Sequence, residues 1–210
     1  MPMQHELILG GVRSGKSRAA ESRAAAWLAA GGGRSATLVA TALPGELTGD
    51  DEMAQRIARH QSDRARRIPR MQTVQAPSAL GRTLRALADP QRLIVVDCLT
   101  LWITQCLMPP AGPAGLADPG GSAPAAAAWA HEEAELIGAL RASASPVVLV
   151  SNEIGLGLLP MARELRAFVD ALGRLHQAVA ECCARVTLMV AGCALCVKGA
   201  GAAAGTPGSA

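Results

Sequence analysis

The sequence predicts an α/β domain, a mostly parallel sheet flanked by helices, and three observations predict it. Short apolar runs alternate along the chain with longer helical stretches, the pattern of successive βαβ units. Most of these runs are continuously apolar, as strands buried on both faces of a parallel sheet must be. A glycine-rich segment, GGVRSGKS, joins the first run to the first helix. With 210 residues, half of them apolar, the chain can bury one sizeable core. Aromatic residues make up only 2%, so that core must come from Leu, Val, Ile, Ala and Met.

Strands are expected at residues 6–10, 36–41, 93–97, 147–151 and 186–191. Residues 72–74 form a further strand or a loop, and 195–198 are expected beside the last strand as an edge hairpin. Helices are expected at 17–30 and 99–108, and the clearest runs over 161–184. There Leu165, Phe168, Val169, Leu172, Leu175 and Val179 fall on one stripe. Residues 1–198 read as a single domain. Within it, 109–124, rich in Pro, Gly and Ala, form a flexible excursion between two helices. Residues 199–210 are a disordered tail of small side chains with nothing to bury.

Composition excludes several classes. A net charge of +3 is too small to point to nucleic acid. No run of about 18 uncharged apolar residues is present, so no membrane insertion is expected. The N-terminus lacks a basic region followed by a long apolar run, so no secretory signal is expected and the protein is placed in the cytoplasm. The six cysteines include a lone CxxC at Cys193 and Cys196 and the adjacent pair Cys182 and Cys183. They are read as buried small hydrophobes, with a zinc or redox site as the alternative.

Gly10, Gly11, Val12, Arg13, Ser14, Gly15, Lys16 and Ser17 fit GxxxxGK[ST], with a strand before and a helix after. Glycine lets the backbone wrap around a phosphate with successive N–H groups turned inward. Lys16, one of two lysines in the chain, brings a point charge to the β- and γ-phosphates. The Ser17 hydroxyl can ligate Mg2+, and the helix behind it turns its N-terminal dipole on the anion. A chance match in a Gly- and Ser-rich turn does not account for strand, helix and lysine together. The pattern specifies a P-loop nucleotide-binding domain without naming the reaction, and its sheet is expected to be RecA-like. Leu93, Ile94, Val95 and Val96 end in Asp97, the form of a strand whose carboxylate sits beside the phosphate loop and holds Mg2+. The other reading is an Asp capping the next helix.

A helix opening near Thr48 places Met53, Ile57 and His60 on one face. Between residues 56 and 70 there are six arginines against one acid, Asp63. Such a run is either a solvated charged face or an anion site, and its imbalance of sign suits the latter. A positive field favours the neutral, nucleophilic imidazole of His60. His5, His131 and His176 are placed at the terminus, on the surface and on a helix flank. After the strand at 147–151, Ser151, Asn152, Glu153, Gly155 and Gly157 form a loop at the edge where ligands bind in open α/β sheets. Asn152 and Glu153 are candidates for contact with substrate or metal, and a structural turn is the alternative.

In this order the elements resemble the bifunctional adenosylcobinamide kinase/adenosylcobinamide-phosphate guanylyltransferase family, over residues 6–198. The resemblance rests on GGVRSGKS from Gly10, VAT from Val39, DDEMAQRIARH from Asp50, DCLTLW from Asp97 and SNEIGLGLLP from Ser151. Arg166, Phe168, Asp170, Gly173, Arg174 and Gln177 add to it in a late helix. It implies a two-step enzyme of cobalamin biosynthesis. ATP or GTP first phosphorylates the aminopropanol hydroxyl of adenosylcobinamide; GMP then passes from GTP to that phosphate. It further implies GMP held covalently on His60, catalysis by Lys16, and Mg2+ on Ser17 and Asp97. Nucleotide contacts are implied from the phosphate loop, Thr41, Ala42, Gln61, Ser62, Asp63, Arg64, Gln75 and Asp97, while Asn152 and Glu153 stay substrate candidates from their place in the loop. Family members are homo-oligomers, commonly trimers. The chain departs from the family where Gln75 follows Thr73 and Val74 in place of Glu, where Met161 and Ala162 follow Pro160, and where His176 replaces a usual Asn. The 109–124 excursion is also long for the family. From the residues alone two other readings stand: a single-function P-loop kinase in which His60 is structural or a base, and a nucleotide-binding switch or assembly ATPase.

Overall fold

The computed structural model describes residues 4–43, 55, 62, 66–76, 78–108, 123–158 and 160–199. Strands β1 (Glu6–Gly10), β2 (Ser35–Ala40), β3 (Met71–Gln75), β4 (Arg92–Asp97), β5 (Val147–Val150) and β6 (Arg185–Val190) pair in parallel. Strand β7 (Cys193–Lys198) returns antiparallel along β6. The order across the sheet is β3-β2-β4-β5-β1-β6-β7. Strand β5 therefore separates β1, which feeds the phosphate loop, from β4, which ends in Asp97. That is the RecA-like order. Each of the five main strands lies within one residue of its expected bounds, and the segments at 72–74 and 195–198 are both strands.

Successive side chains of a strand point to opposite faces, and here both faces are covered. Leu7, Ile94, Val96, Val147 and Leu149 pack under α2 (Leu80–Leu87), α3 (Leu99–Leu107), α4 (Ala123–Ala142) and α5 (Arg163–Cys182). Ile8, Leu93, Val95, Val148 and Val150 pack under α1 (Lys16–Ala29), against Ala20, Ala24, Trp27 and Leu28. Double burial is why these runs show no polar alternation. Trp102 of α3 and Trp129 of α4 meet at a tilt with ring centroids 5.3 Å apart. At the amino edge His5 ties two elements together. Its Nδ1 accepts from the Val147 amide at 3.1 Å, and its Nε2 donates to the Leu140 carbonyl at 2.9 Å, which fits a neutral ring protonated on Nε2.

Several expectations change. On α5, Phe168, Leu172, Leu175 and Val179 are buried as expected, but Leu165 is exposed because the first turn projects beyond the core; residues 161–167 are exposed throughout. Cys98 and Cys183 are buried, and burial pushes their thiols up to about 11 and about 12. Cys193 is exposed, against expectation, because β7 is an edge strand with neither face covered. Of the expected 109–124 excursion, only residues 123 and 124 fall among those described, and they open α4. The expected tail beyond Gly199 lies outside the described residues. Among the described residues no helix is long and apolar enough to cross a membrane.

Candidate active site

The phosphate loop leaves the carboxyl end of β1 through two glycines with positive φ. Gly10 has φ +150°, and a Cβ there would lie 2.5 Å from the Met189 carbonyl oxygen and 2.6 Å from Ser14 Oγ. Gly15, at φ +99°, is the N-cap of α1. Between them the Ser14 amide donates to the Gly11 carbonyl at 3.3 Å, and the Gly192 amide, from the β6–β7 turn, donates to the Ser14 carbonyl at 3.0 Å. The edge hairpin thus props the loop from behind. Lys16 is buried, and its Nζ donates to the Gly11 carbonyl at 2.6 Å. Ser14 Oγ is buried and has no hydrogen-bond partner among the described residues. An orphaned hydroxyl in a glycine-built cradle is what a phosphate oxygen would satisfy.

Across β5, the Ser17 hydroxyl donates to Asp97 Oδ2 at 3.3 Å. The sheet order brings these two oxygens together although 80 residues separate them. Hard oxygen ligands beside a phosphate loop suit Mg2+. The helix-cap reading of Asp97 does not match this arrangement: the N-cap of α3 is Cys98, with no side-chain cap bond.

Other candidates lie apart. Thr41 is fully buried and clamps β2 to β4: its hydroxyl donates to the Cys98 carbonyl at 2.7 Å and accepts from the Cys98 amide at 2.8 Å. Ala42 is half-buried just beyond it. Gln75 is exposed at the end of β3, four strands from β1 in the sheet, or about 19 Å at the usual strand spacing. It does not join the phosphate-loop cluster. Ser62 is helical and exposed, while His60, Gln61, Asp63 and Arg64 lie outside the described residues. In the arginine run, Arg67 pairs with Glu21 of α1 at 2.8 Å, so its charge is met within the protein.

The loop after β5 is stitched to the phosphate loop. The Ser151 amide donates to the Ile8 carbonyl and the Glu153 amide to the Gly10 carbonyl, both at 3.0 Å. The Asn152 amide donates to Thr100 Oγ1 at 2.8 Å. Glu153 Oε1 accepts from the Gly155 amide at 2.7 Å, so part of this carboxylate does shape a turn. Beyond it Leu156 and Leu158 are exposed. His176, expected on a helix flank, is buried instead, with Nε2 at 2.7 Å from Ser151 Oγ and Nδ1 at 3.7 Å from Glu153 Oε2. Burial pulls its pKa below the ordinary 6.5, outweighing the nearby carboxylate. Sequence reasoning missed His176, Ser151 and Thr100 as a group. The helical period holds the signal for the first, since 168, 172, 176 and 179 continue one stripe.

Residues 6–197 match the sequence model of the family described as cobinamide kinase / cobinamide phosphate guanyltransferase. The chain is 43% identical to the bifunctional adenosylcobalamin biosynthesis protein CobP of Pseudomonas aeruginosa, over 92% of this chain and 97% of that protein. It is 32% identical to the bifunctional adenosylcobalamin biosynthesis protein CobU of Escherichia coli, over 91% of this chain and 98% of the relative. The protein of the same name from Salmonella typhimurium is also 32% identical, over the same shares. With its phosphate loop, its RecA-like strand order and this near full-length match, the chain belongs to the cobinamide kinase / cobinamide phosphate guanyltransferase family.

Proposed function

We propose that this chain phosphorylates the aminopropanol hydroxyl of adenosylcobinamide with ATP or GTP and then transfers GMP from GTP to the new phosphate, giving adenosylcobinamide-GDP. The observation that carries the reading is a phosphate loop whose Ser17 meets Asp97 at 3.3 Å, in a chain of this family. Ser17 and Asp97 would hold Mg2+, which when bound neutralises phosphate charge. In the kinase step the substrate hydroxyl attacks the γ-phosphorus and gives up its proton to solvent, the bond to the bridging oxygen breaks, and the nucleoside diphosphate leaves. Lys16 exchanges the Gly11 carbonyl for a phosphate oxygen, and the inward N–H groups and Ser14 hydroxyl share the charge that develops. In the transfer step a His60 nitrogen attacks the α-phosphorus of GTP and pyrophosphate leaves. A phosphate oxygen of adenosylcobinamide phosphate then displaces the imidazole. Ala42, Gln61, Ser62, Asp63 and Arg64 complete the nucleotide contacts, Gln75 meets the end of the nucleotide farthest from the phosphate loop, and Thr41 holds β2 to β4 beneath them; Asn152 and Glu153 meet the corrinoid. The enzyme works in the cytoplasm as a homo-oligomer, a trimer by family resemblance.

The test is His60→Ala. GTP labelled on its α-phosphate should leave an acid-labile, alkali-stable label on the wild-type protein, the stability of a phosphoramidate. The variant should take no label and make no adenosylcobinamide-GDP, while its phosphorylation of adenosylcobinamide survives. A folded variant that still accumulates label would overturn the assignment.

A further inference from the structure

His176 sits between Leu172 and Val179 on the buried stripe of α5, yet its ring reaches the loop that follows β5. The Glu153 carboxylate, which only accepts, gives the contacts a direction: it draws the His176 ring hydrogen to Nδ1 and leaves Nε2 to accept. Thr100 Oγ1 accepts from the Asn152 amide at 2.8 Å and shares a hydrogen with Ser151 Oγ at 3.1 Å. Ser151 then turns its proton to His176 Nε2 at 2.7 Å. A neutral ring accepting at Nε2 carries its hydrogen on Nδ1, on the side of Glu153 Oε2 at 3.7 Å. Burial favours that neutral ring. The relay starts at Asn152 and ends at Glu153, and the Glu153 amide is bonded to Gly10 at the base of the phosphate loop. Ser151 itself is wholly buried and has no access to substrate.

We propose that His176 is a positioning residue for phosphoryl transfer: through Ser151 and Glu153 it fixes the loop against the phosphate loop, so that Asn152 and Glu153 meet the phosphate acceptor in one orientation. The proposal rests on the kinase reading above. Nucleotide is gripped by the phosphate loop and not by this relay, so loosening the relay should cost turnover and not nucleotide affinity. Misaligning a reacting pair by a fraction of its contact distance is enough to slow it strongly.

Three variants test it. His176→Leu keeps bulk without ring nitrogens, His176→Gln restores a group able to bond Ser151, and Ser151→Ala breaks the relay elsewhere. With adenosylcobinamide and ATP, His176→Leu and Ser151→Ala should lose about 10- to 100-fold in kcat, with KM for ATP within about twofold of wild type. His176→Gln should recover most of the loss. Amide hydrogen exchange over residues 151–157 should accelerate in His176→Leu and Ser151→Ala but not over β1 or α1. A folded His176→Leu or Ser151→Ala protein with wild-type kcat overturns the proposal. Equal losses in His176→Leu and His176→Gln also overturn it, since they mark a packing role alone, as does unchanged exchange in the loop. The exchange measurement needs no substrate. A wild-type protein inactive on adenosylcobinamide would therefore remove the kinase reading, and exchange would still decide whether His176 holds the loop.

Discussion

Replacing Gly10 with alanine should damage fold and site together, whereas replacing its neighbour Gly11 should damage neither. At Gly10 the added methyl would stand 2.5 Å from the Met189 carbonyl oxygen and 2.6 Å from Ser14 Oγ, at φ +150°. Ser14 can rotate away. Met189 cannot, because its carbonyl belongs to β6, which is paired with β1 in register at that residue. Backbone strain of about 1–3 kcal/mol and overpacking of about 1–3 kcal/mol together predict about 2–6 kcal/mol. For a chain of this length that lowers the melting temperature by about 4–24 °C. A Cβ on Gly11 meets nothing within 4 Å, and its φ is not positive. Gly11→Ala should be neutral or slightly stabilising, since alanine narrows the unfolded ensemble by about 0.4–1 kcal/mol. The assay is thermal melting with and without ATP and Mg2+. Wild type and Gly11→Ala should gain stability from nucleotide by mass action, and Gly10→Ala should gain little. A Gly10→Ala protein with wild-type melting and the same ATP shift would refute the close approach of β1 and β6. So would a Gly11→Ala protein damaged as badly as Gly10→Ala.

Three further outcomes follow from the same geometry. Lys16→Ala removes a charge-assisted contact worth about 1.5–3 kcal/mol, so initial rates of both phosphorylation and guanylyl transfer should fall by one to two decades; wild-type turnover would take the loop out of the mechanism. Asp97→Asn keeps size and deletes charge, and a Mg2+ titration of the kinase rate should shift to higher metal; an unshifted curve would leave Asp97 without a role in holding the ion. Because His176 is buried with its pKa below 6.5, the unfolded chain binds more protons in that window. Its contribution to stability is therefore complete above about pH 6.5 and is lost as pH falls towards the folded value. Melting temperatures between pH 7.5 and 5.5 should fall more for wild type than for His176→Leu, and equal slopes would contradict the buried neutral ring.

The sheet was legible because double burial leaves a plain record. Leu93 to Val96 have no polar alternation, and in the structure alternate members pack under opposite helix layers. The phosphate loop was legible because its chemistry fixes residue type at fixed spacing, glycines at positive φ included. The meeting of Ser17 and Asp97 was partly legible, since a carboxylate closing an apolar strand signals the ligand edge, but their contact needed β5 between the two strands. The His176 relay was not legible. Its partners lie on a helix and a loop 25 residues apart, and pairing across such a gap leaves no local pattern. The exposure of Cys193 and Leu165 was hidden for a related reason, as both depend on where the sheet and core stop.

Because β7 runs back along β6, His5 and Gly199 lie beside the same two residues, one on each side of β6. The His5 carbonyl accepts from the Ala184 and Arg185 amides at 3.0 and 3.3 Å. On the other side of β6, Lys198 pairs with Val186, and Gly199 lies against Ala184 and Arg185. Two strand spacings, about 10 Å, separate His5 from Gly199, a gap that three or four extended residues can span. A short linker from Gly199 to His5, replacing residues 1–4 and 200–210, can therefore join them, with the chain opened instead at the exposed Gly31, Gly32 and Gly33 turn, where all three residues have positive φ. Such a circular permutant would keep every neighbour of the phosphate loop. What the loop requires is β1 lying beside β6, whichever of the two the ribosome makes first.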